Sequence, residues 1–175
     1  MMLPYYSYKF ITKLIRPFIA LYILFRISKG KEDRSRVAER YGLSDIKREK
    51  GKVIWFHAAS IGESLSILPL LRKLNSDKSI DQIILTTGTL TSANILKDKL
   101  SKKIIHQFIP FDVPSYIHKF LNHWNPSLAV FVESEIWPNF LTELKKRNVC
   151  SLIVNGRMTI KSFKRWSMLL SLIHI

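Results

Sequence analysis

The sequence predicts an α/β fold in which a parallel sheet is covered by helices on both faces. Five short runs rich in apolar and β-branched residues, typical of buried strands, alternate with helical patterns along the chain. These runs are residues 53–56, 82–86, 104–109, 128–132 and 150–154. Near-continuous apolar strands that alternate with helices indicate a parallel sheet. With 175 residues, the chain is long enough to form one domain with a substantial core.

Residues 1–28 precede the first strand and form an apolar, aromatic segment with interspersed cations. Its longest uncharged run, Pro17 to Phe25, is shorter than the roughly 20 apolar residues that span a bilayer. We therefore predict a membrane-anchor helix that lies in the interface, with its cations at the headgroups of anionic lipids. The alternative is an N-terminal helix that packs on its own domain.

Residues 29–51 are predicted to form a basic charged linker. Charge is dense up to Gly42, which is typical of a solvated helix or loop. Basic residues directly after a membrane-seeking helix would also meet phosphates at the membrane surface. The whole chain has 28 Lys+Arg against 13 Asp+Glu, a net charge of +15. This surplus favours nucleic acid, a phosphorylated substrate or an anionic membrane as a partner.

The sheet domain is predicted to cover residues 53–175, and its first strand ends in a loop of small residues. Ser60 and Gly62 lie in this loop, and Glu63 begins the next amphipathic helix. In open α/β sheets, ligands bind at the edge where strands end and helices begin. Glu63 is therefore a candidate functional carboxylate. The alternative is that it only complements the dipole of the helix.

Polar residues follow each of the later strands as well. Pro114 and Pro138 stand in the first turns of two of the following helices. All post-strand loops of such a parallel sheet lie along one edge. The residues expected there are Ser60, Glu63, Thr86 to Thr89, Asp112, Glu133, Glu135 and Arg157. Together they predict a polar site. Residues 161–175 fit either a basic amphipathic helix on a membrane or the last helix that covers the sheet.

Other functional patterns are missing from the sequence. There is no Walker loop or dinucleotide fingerprint, and the histidines show no zinc-ligand spacing. His57 is interpreted as a hydrogen-bonded histidine of the sheet in preference to an active-site residue. Cys150, the single cysteine, is interpreted as a core residue. Since no nucleic-acid-binding motif is present, we expect no nucleic-acid partner.

Five segments carry a more specific signal. The loop HAASIGE covers residues 57–63, and VESEIWPN covers residues 132–139. Residues 29–42, 109–114 and 154–162 are the other three. In order and spacing, these segments resemble the motifs of the bacterial 3-deoxy-D-manno-octulosonic acid (Kdo) transferases of lipopolysaccharide synthesis. VESEIWPN is the most specific match, and the resemblance covers essentially the whole chain.

The resemblance implies the N-terminal, Rossmann-like half of a glycosyltransferase-B fold, held at the cytoplasmic face of the inner membrane. Members of the family transfer Kdo from CMP-Kdo to the 6′-hydroxyl of a phosphorylated lipid A precursor, lipid IVA, with inversion and without a catalytic metal or other cofactor. By this resemblance Glu63 corresponds to the family's catalytic base. The role fits the chemistry, because a carboxylate within hydrogen-bond reach can take the proton of the acceptor hydroxyl. Acceptor binding is assigned to Ser60, Gly62, Asp112, Glu133, Glu135, Trp137 and Arg157.

The resemblance also implies a second, donor-binding domain, which the 175 residues do not include. We therefore expect an acceptor-binding half that needs a separate C-terminal donor-domain chain for turnover. The alternative is a truncated, non-catalytic remnant that binds only membrane and lipid A precursor. A basic nucleic-acid binder is a third, unrelated class, and it would show a steep, salt-dependent affinity for oligonucleotides.

Overall fold

A computed structural model of the chain describes residues 3–133, 137–156 and 160. Two residues predicted for the site, Glu135 and Arg157, lie outside the described residues. The segment 161–175, for which a final helix is predicted, lies outside them as well.

Five strands form one sheet. They are β1 (Val53–His57), β2 (Gln82–Thr87), β3 (Ile104–Phe108), β4 (Leu128–Val132) and β5 (Cys150–Val154). All neighbours pair in parallel, in the spatial order β3-β2-β1-β4-β5. The predicted parallel sheet is confirmed, and each strand lies within one residue of its predicted bounds. The order reverses between β1 and β4, so the loops after these two strands form the switch point where ligands bind in open sheets.

Helices precede the first strand and connect the strands to one another. In the described part of the chain they are α1 (Leu3–Ser28), α2 (Val37–Arg40), α3 (Ile61–Ser66), α4 (Leu68–Asn75), α5 (Leu90–Leu96), α6 (Pro114–Trp124) and α7 (Pro138–Lys146), with a 3₁₀ turn at Arg34–Arg36. The apolar pattern after β1 predicts one helix, but the structure has two that meet at Ile67. Pro69 lies in the first turn of α4, and its missing N–H cannot continue the preceding helix.

Helices pack on both faces of the sheet, as predicted. On one face, α4 and α5 cover an apolar cluster that includes Phe56 and Leu71. On the other face, α6 and α7 surround Trp55, whose ring centroid lies 5.0 Å from that of Phe120 and 5.1 Å from that of Phe140. Close aromatic packing of this kind adds to the stabilisation from buried apolar area. The packing on both faces therefore makes the sheet a rigid support for the loops at its carboxyl edge.

The edge strand β5 differs from the others. Leu152 and Ile153 are 47% and 54% exposed, and Cys150 is exposed. The interpretation of Cys150 as a core residue is therefore wrong. An apolar run has the same composition at the centre and at the edge of a sheet, so the sequence pattern does not separate the two positions.

Helix α1 packs on its own domain through a narrow stripe. Ile19 and Ile23 contact Val113 and Tyr116 in a small apolar cluster. Most of its other large apolar side chains are exposed, among them Tyr6, Phe10, Ile11, Leu14, Ile15, Phe18, Leu21, Tyr22, Leu24 and Phe25. Among the described helices, none combines the length and apolarity that crossing a membrane requires.

The predicted charged linker packs on the carboxyl edge of the sheet. The buried guanidinium of Arg40 donates to the carbonyl oxygens of Gly88 at 2.8 Å and Ile109 at 3.1 Å. It also pairs with the buried carboxylate of Glu32 at 3.0 Å, which Arg26 of α1 contacts at 2.8 Å. The expectation of a solvated segment is therefore wrong for Glu32 and Arg40. Their charges can be buried because each is paired and hydrogen-bonded.

Candidate functional site

Glu63 stands in the first turn of α3, directly after the loop that follows β1. Its Oε2 accepts a hydrogen bond from the backbone N–H of Ala59 at 2.8 Å, and its Oε1 accepts one from the Ser60 hydroxyl at 2.6 Å. Ser60 caps the helix, since its Oγ accepts from the backbone N–H of Glu63 at 3.3 Å. Glu63 is 8% exposed. These bonds hold the carboxylate in one orientation at the switch point of the sheet.

The geometry is compatible with both interpretations of Glu63. The reciprocal bonds with Ser60 and the loop backbone are those of a capping box, which stabilises a helix start. A carboxylate oxygen has two acceptor sites, so each bond leaves one for a ligand. Gly62 provides room nearby, because the heavy atom nearest to a Cβ built at this position is Ser60 Oγ, 4.0 Å away. Both Ser60 and Gly62 are exposed.

Glu133 directly follows β4, the strand beside β1 at the switch point. Its backbone φ is 61°, in the left-handed region that non-glycine residues rarely adopt. Its N–H donates to the carbonyl oxygen of Val154 at 2.8 Å, which holds this conformation in place. Strained backbone of this kind is concentrated at functional sites. The fold thus brings Glu133 and the Ser60–Glu63 loop to neighbouring positions of one sheet edge.

Asp112 follows β3 and faces the protein interior. Its Oδ2 accepts from the Tyr8 hydroxyl of α1 at 2.8 Å and from the N–H of Asn139 at 3.2 Å, and its Oδ1 accepts from the N–H of Phe140 at 3.1 Å. The carboxylate therefore caps α7 and joins it to α1. Burial raises the pKa of this carboxyl group, and the bonds from Tyr8 and the backbone oppose the shift. The geometry gives Asp112 a structural role, and acceptor binding by it stays a prediction.

Trp137 lines two adjacent cavities beside these loops. The larger has a volume of about 420 Å³ and lies between α1 and the loop after β3. The smaller has a volume of about 170 Å³, and its lining includes Arg40, His57 and Ala59. Ala59 joins this cavity to the candidate base, because its N–H binds the Glu63 carboxylate. The predicted site residue Trp137 therefore lies close to the Glu63 loop.

His57, the last residue of β1, lines the smaller cavity and is fully buried. Its Nδ1 lies 3.2 Å from the carbonyl oxygen and 3.0 Å from the Oγ1 of Thr86. Burial lowers the pKa of His57 to about 4. The predicted hydrogen-bonded sheet histidine is thus confirmed at Nδ1. Its Nε2 has no partner among the described residues, and no sequence pattern marks this atom, since its surroundings come from distant segments.

Side chains able to bind a metal are scattered in the described ranges. No three histidine, cysteine or acidic residues converge there. His106 instead uses both ring nitrogens within the protein, with Nδ1 2.9 Å from a guanidinium nitrogen of Arg36 and Nε2 2.9 Å from Thr87 Oγ1. His118 lies 3.6 Å from the Glu143 carboxylate.

Comparison with known proteins gives one consistent result. Residues 35–174 match the family model described as 3-deoxy-D-manno-octulosonic-acid transferase (kdotransferase). A probable mitochondrial 3-deoxy-D-manno-octulosonic acid transferase of Arabidopsis thaliana is 39% identical over 163 residues, which are 93% of this chain and 36% of the relative. The 3-deoxy-D-manno-octulosonic acid transferase of Rickettsia bellii is 39% identical over 160 residues, 91% of this chain and 38% of the relative.

A more distant bacterial relative agrees. The 3-deoxy-D-manno-octulosonic acid transferase of Haemophilus influenzae is 33% identical over 162 residues, which are 92% of this chain and 38% of the relative. The matches thus cover nearly all of this chain. The chain spans less than half the length of these curated relatives.

Proposed function

Since the chain belongs to the 3-deoxy-D-manno-octulosonic acid transferase family, we propose that it is the acceptor-binding part of an enzyme that transfers Kdo from CMP-Kdo to a lipid A precursor. The relatives named above are glycosyltransferases, and the family model covers residues 35–174. The sheet, its switch point and the two loops there are the part of such an enzyme that this chain contributes.

The position of Glu63 is the observation that carries the proposal. Its carboxylate is fixed at the switch point by Ala59 and Ser60 at 2.8 and 2.6 Å, so little reorganisation is needed when an acceptor arrives. In an inverting transfer the acceptor hydroxyl attacks the anomeric carbon of Kdo directly, the bond from that carbon to the phosphate oxygen breaks and CMP leaves. The proton of the hydroxyl must be removed as the new bond forms. A carboxylate within hydrogen-bond reach can take that proton. Glu63 is the general base in this proposal, and Glu133 and Glu135 hold the acceptor sugar.

Membrane attachment at the cytoplasmic face of the inner membrane is part of the same proposal. The outer face of α1 exposes Phe10, Phe18, Leu21 and Phe25. The chain as a whole carries a net charge of +15. An apolar helix face with nearby cations binds anionic lipid surfaces. This arrangement would place the loops at the sheet edge near a phosphorylated lipid acceptor.

The test is Kdo transfer to lipid A precursor in detergent, with CMP-Kdo and a separately expressed donor domain from a related transferase. Glu63→Gln keeps the size and much of the hydrogen bonding of the side chain but cannot take a proton. We expect it to lower the rate about 100-fold or more, the usual contribution of a general base. Glu49→Gln, at an exposed acid before β1, is the matched control and should leave the rate unchanged.

Other outcomes separate the parts of the proposal. Transfer by Glu63→Gln at the control rate would exclude this residue as the base. Wild-type chain that sediments with anionic vesicles and binds precursor, but supports no transfer with the donor domain, would favour a non-catalytic binding protein. That second candidate has one specific observation in its favour, because both oxygens of Glu63 already take part in helix capping. Failure to sediment with vesicles would remove the membrane part alone.

A further inference from the structure

Two buried polar atoms at the smaller cavity have no hydrogen-bond partner within the described ranges. They are Nε2 of His57 and Nε1 of Trp137, and both residues line this cavity. The two rings meet nearly at right angles, with centroids 6.1 Å apart. Leaving a buried polar group without a partner destabilises the folded state, so such groups in a native protein call for an explanation.

Equivalent groups elsewhere in the described structure are satisfied. Trp55 donates through Nε1 to Thr86 Oγ1 at 2.8 Å, and Trp124 donates to Gln107 Oε1 at 2.7 Å. His106, which is partly buried, has partners at both ring nitrogens. The chain therefore provides partners for indole and imidazole groups elsewhere in the described structure. The two exceptions occur together, at one cavity beside the Glu63 loop.

The hydrogen bonds around Thr86 determine which nitrogen of His57 carries the proton. The Thr86 hydroxyl donates to the carbonyl oxygen of Phe56 at 3.2 Å. It is therefore an acceptor towards Nδ1 of His57, as is the Thr86 carbonyl oxygen. Nδ1 must carry the hydrogen, so Nε2 of the neutral ring is a bare acceptor. The pKa of about 4 keeps the ring in this neutral state at pH 7.

The unpartnered pair consists of one acceptor, on His57, and one donor, on Trp137. A hydroxyl group is the simplest complement, since it can donate to the first and accept from the second. A carboxylate or phosphate offers no proton to His57, and an ammonium group cannot accept from the indole. The nearby charges of Glu32, Arg26 and Arg40 are already paired with one another. The chemistry of the cavity therefore favours a neutral hydroxyl.

The larger cavity adds an apolar compartment to this polar one. Its lining is mainly apolar and includes Ile15, Phe18 and Val113. The two cavities share Tyr22, Phe111 and Trp137 as walls, and the rings of the first two pack edge to face with centroids 6.0 Å apart. A ligand that spans both compartments would carry an alkyl chain with a hydroxyl group close to its polar end.

We propose that the two cavities form one site for a hydroxylated acyl chain, with its hydroxyl bound between His57 Nε2 and Trp137 Nε1 and its alkyl part packed against α1. The site deepens the function proposed above, because the chain would belong to the lipid acceptor. It would position the acceptor sugar relative to the loop that holds Glu63. His57 and Trp137 act as positioning residues, since neither contacts the reacting atoms.

Binding requires a side-chain movement. Both nitrogens are covered in the structure, and His57 is fixed in a central strand. Trp137 is only partly buried and stands directly before the first residue of α7. A rotation of the indole would join the two cavities and uncover both nitrogens. Trp137 is therefore the part that moves when the ligand enters.

The experiment compares two probes that differ only in one hydroxyl and have no N–H donor, the N,N-dimethyl amides of 3-hydroxydecanoic acid and decanoic acid. The full chain, labelled with ¹⁵N at histidine, is titrated with each probe and followed by NMR. His57→Gln identifies the His57 resonances. We expect the hydroxylated amide to shift the Nε2 resonance of His57 and to bind about tenfold more tightly, the gain from two modest hydrogen bonds. The plain amide should leave Nε2 unshifted.

Trp137→Phe keeps an aromatic ring but removes the donor, and it should reduce the preference for the hydroxylated amide severalfold. Trp124→Phe is the matched control, because Trp124 donates to Gln107 in the core, and it should keep the full preference. Equal affinity of the wild-type chain for both amides, or an unshifted His57 Nε2, would overturn the proposal.

The titration contains no donor domain and no CMP-Kdo, so its result is independent of transfer. A chain that supports Kdo transfer but shows no hydroxyl preference would overturn the acyl-chain site alone. A chain that shows the preference but supports no transfer would overturn the proposed function and leave this site standing.

Discussion

Two loops at the carboxyl edge of the sheet have similar residues but differ in their hydrogen bonding. The loop between β1 and α3 follows a strand with the buried His57 and leads to Glu63. The loop between β3 and α6 follows a strand with the partly buried His106 and contains Asp112. Both carboxylates cap a helix, Glu63 its own and Asp112 the distant α7.

The difference lies in how completely the polar groups are used. Around β3, both nitrogens of His106 and both oxygens of Asp112 bind groups from other segments of the chain. Around β1, Glu63 makes only local bonds within five residues, and Nε2 of His57 is unpartnered among the described groups. Saturated long-range bonding is typical of scaffold, and free hydrogen-bonding capacity is typical of a binding site. The first loop is therefore the candidate site, and the second holds α1 and α7 in place.

The largest expected effect is a loss of stability at acidic pH, caused by protonation of the two histidines. Burial lowers the pKa of His57 to about 4, and burial together with Arg36 and Arg40 lowers that of His106 to about 3. The unfolded chain, with histidine pKa values near 6.5, binds more protons than the native state between those values and pH 6.5. The free energy of unfolding should therefore fall as pH drops through this window, by about 3 kcal/mol from His57 alone. Urea unfolding at pH 7, 6, 5 and 4 measures this slope.

Substituting each histidine in turn shows how much of the pH dependence of the free energy of unfolding comes from each loop. His57→Gln and His106→Gln cannot titrate, and each should make the profile shallower than that of the wild type. The pKa values of Asp33, Asp77 and Glu143 are lowered from 3.8, 3.8 and 4.5, so these groups lose their contribution only below about pH 4.5, at the acidic end of the histidine window. A flat profile between pH 6.5 and 4.5 would show that neither histidine is kept neutral by burial.

The next effect tests the scaffold role of Asp112. Asp112→Ala leaves the Tyr8 hydroxyl and two backbone N–H groups of α7 without their acceptor. We expect the free energy of unfolding at pH 7 to fall by about 3 kcal/mol, since these donors are largely buried. The exposed Asp81, which accepts one bond from the Lys52 N–H at 2.6 Å, is the matched control. Asp81→Ala should lower the free energy of unfolding by less. Equal decreases for the two variants would show that the bonds from Asp112 to α1 and α7 do not add to stability beyond an ordinary surface bond.

Local signals in the sequence were enough for most of the fold. Strand bounds could be predicted within a residue because runs such as Val53–His57 are short, apolar and β-branched. The apolar run from Cys150 led to the wrong prediction that this residue lies in the core, because composition does not distinguish an edge strand from a central one. The break at Ile67 was missed because the apolar pattern continues across it, and Pro69 was the signal that could have revealed it.

The site was predictable where its bonds are local. Ser60 and Glu63 are three residues apart, and this spacing is that of a capping box. The contacts of Asp112 reach 104 residues back to Tyr8 and 27 residues on to Asn139, which no pattern along the chain encodes. The burial of Arg40 depends likewise on carbonyl oxygens of Gly88 and Ile109. Such groups are found only when the fold brings them together.

The smallest expected effect on stability is at Glu63, and its small size is informative. Glu63→Gln retains one oxygen for the N–H of Ala59 or the hydroxyl of Ser60, so only part of the cap is lost. Loss of a helix cap costs typically about 1 kcal/mol, and a partial loss should cost less. If urea unfolding shows such a loss while Kdo transfer falls 100-fold, the carboxylate is needed for chemistry more than for the helix. A loss as large as that of Asp112→Ala would instead make Glu63 a scaffold residue, and the two loops would then have the same role.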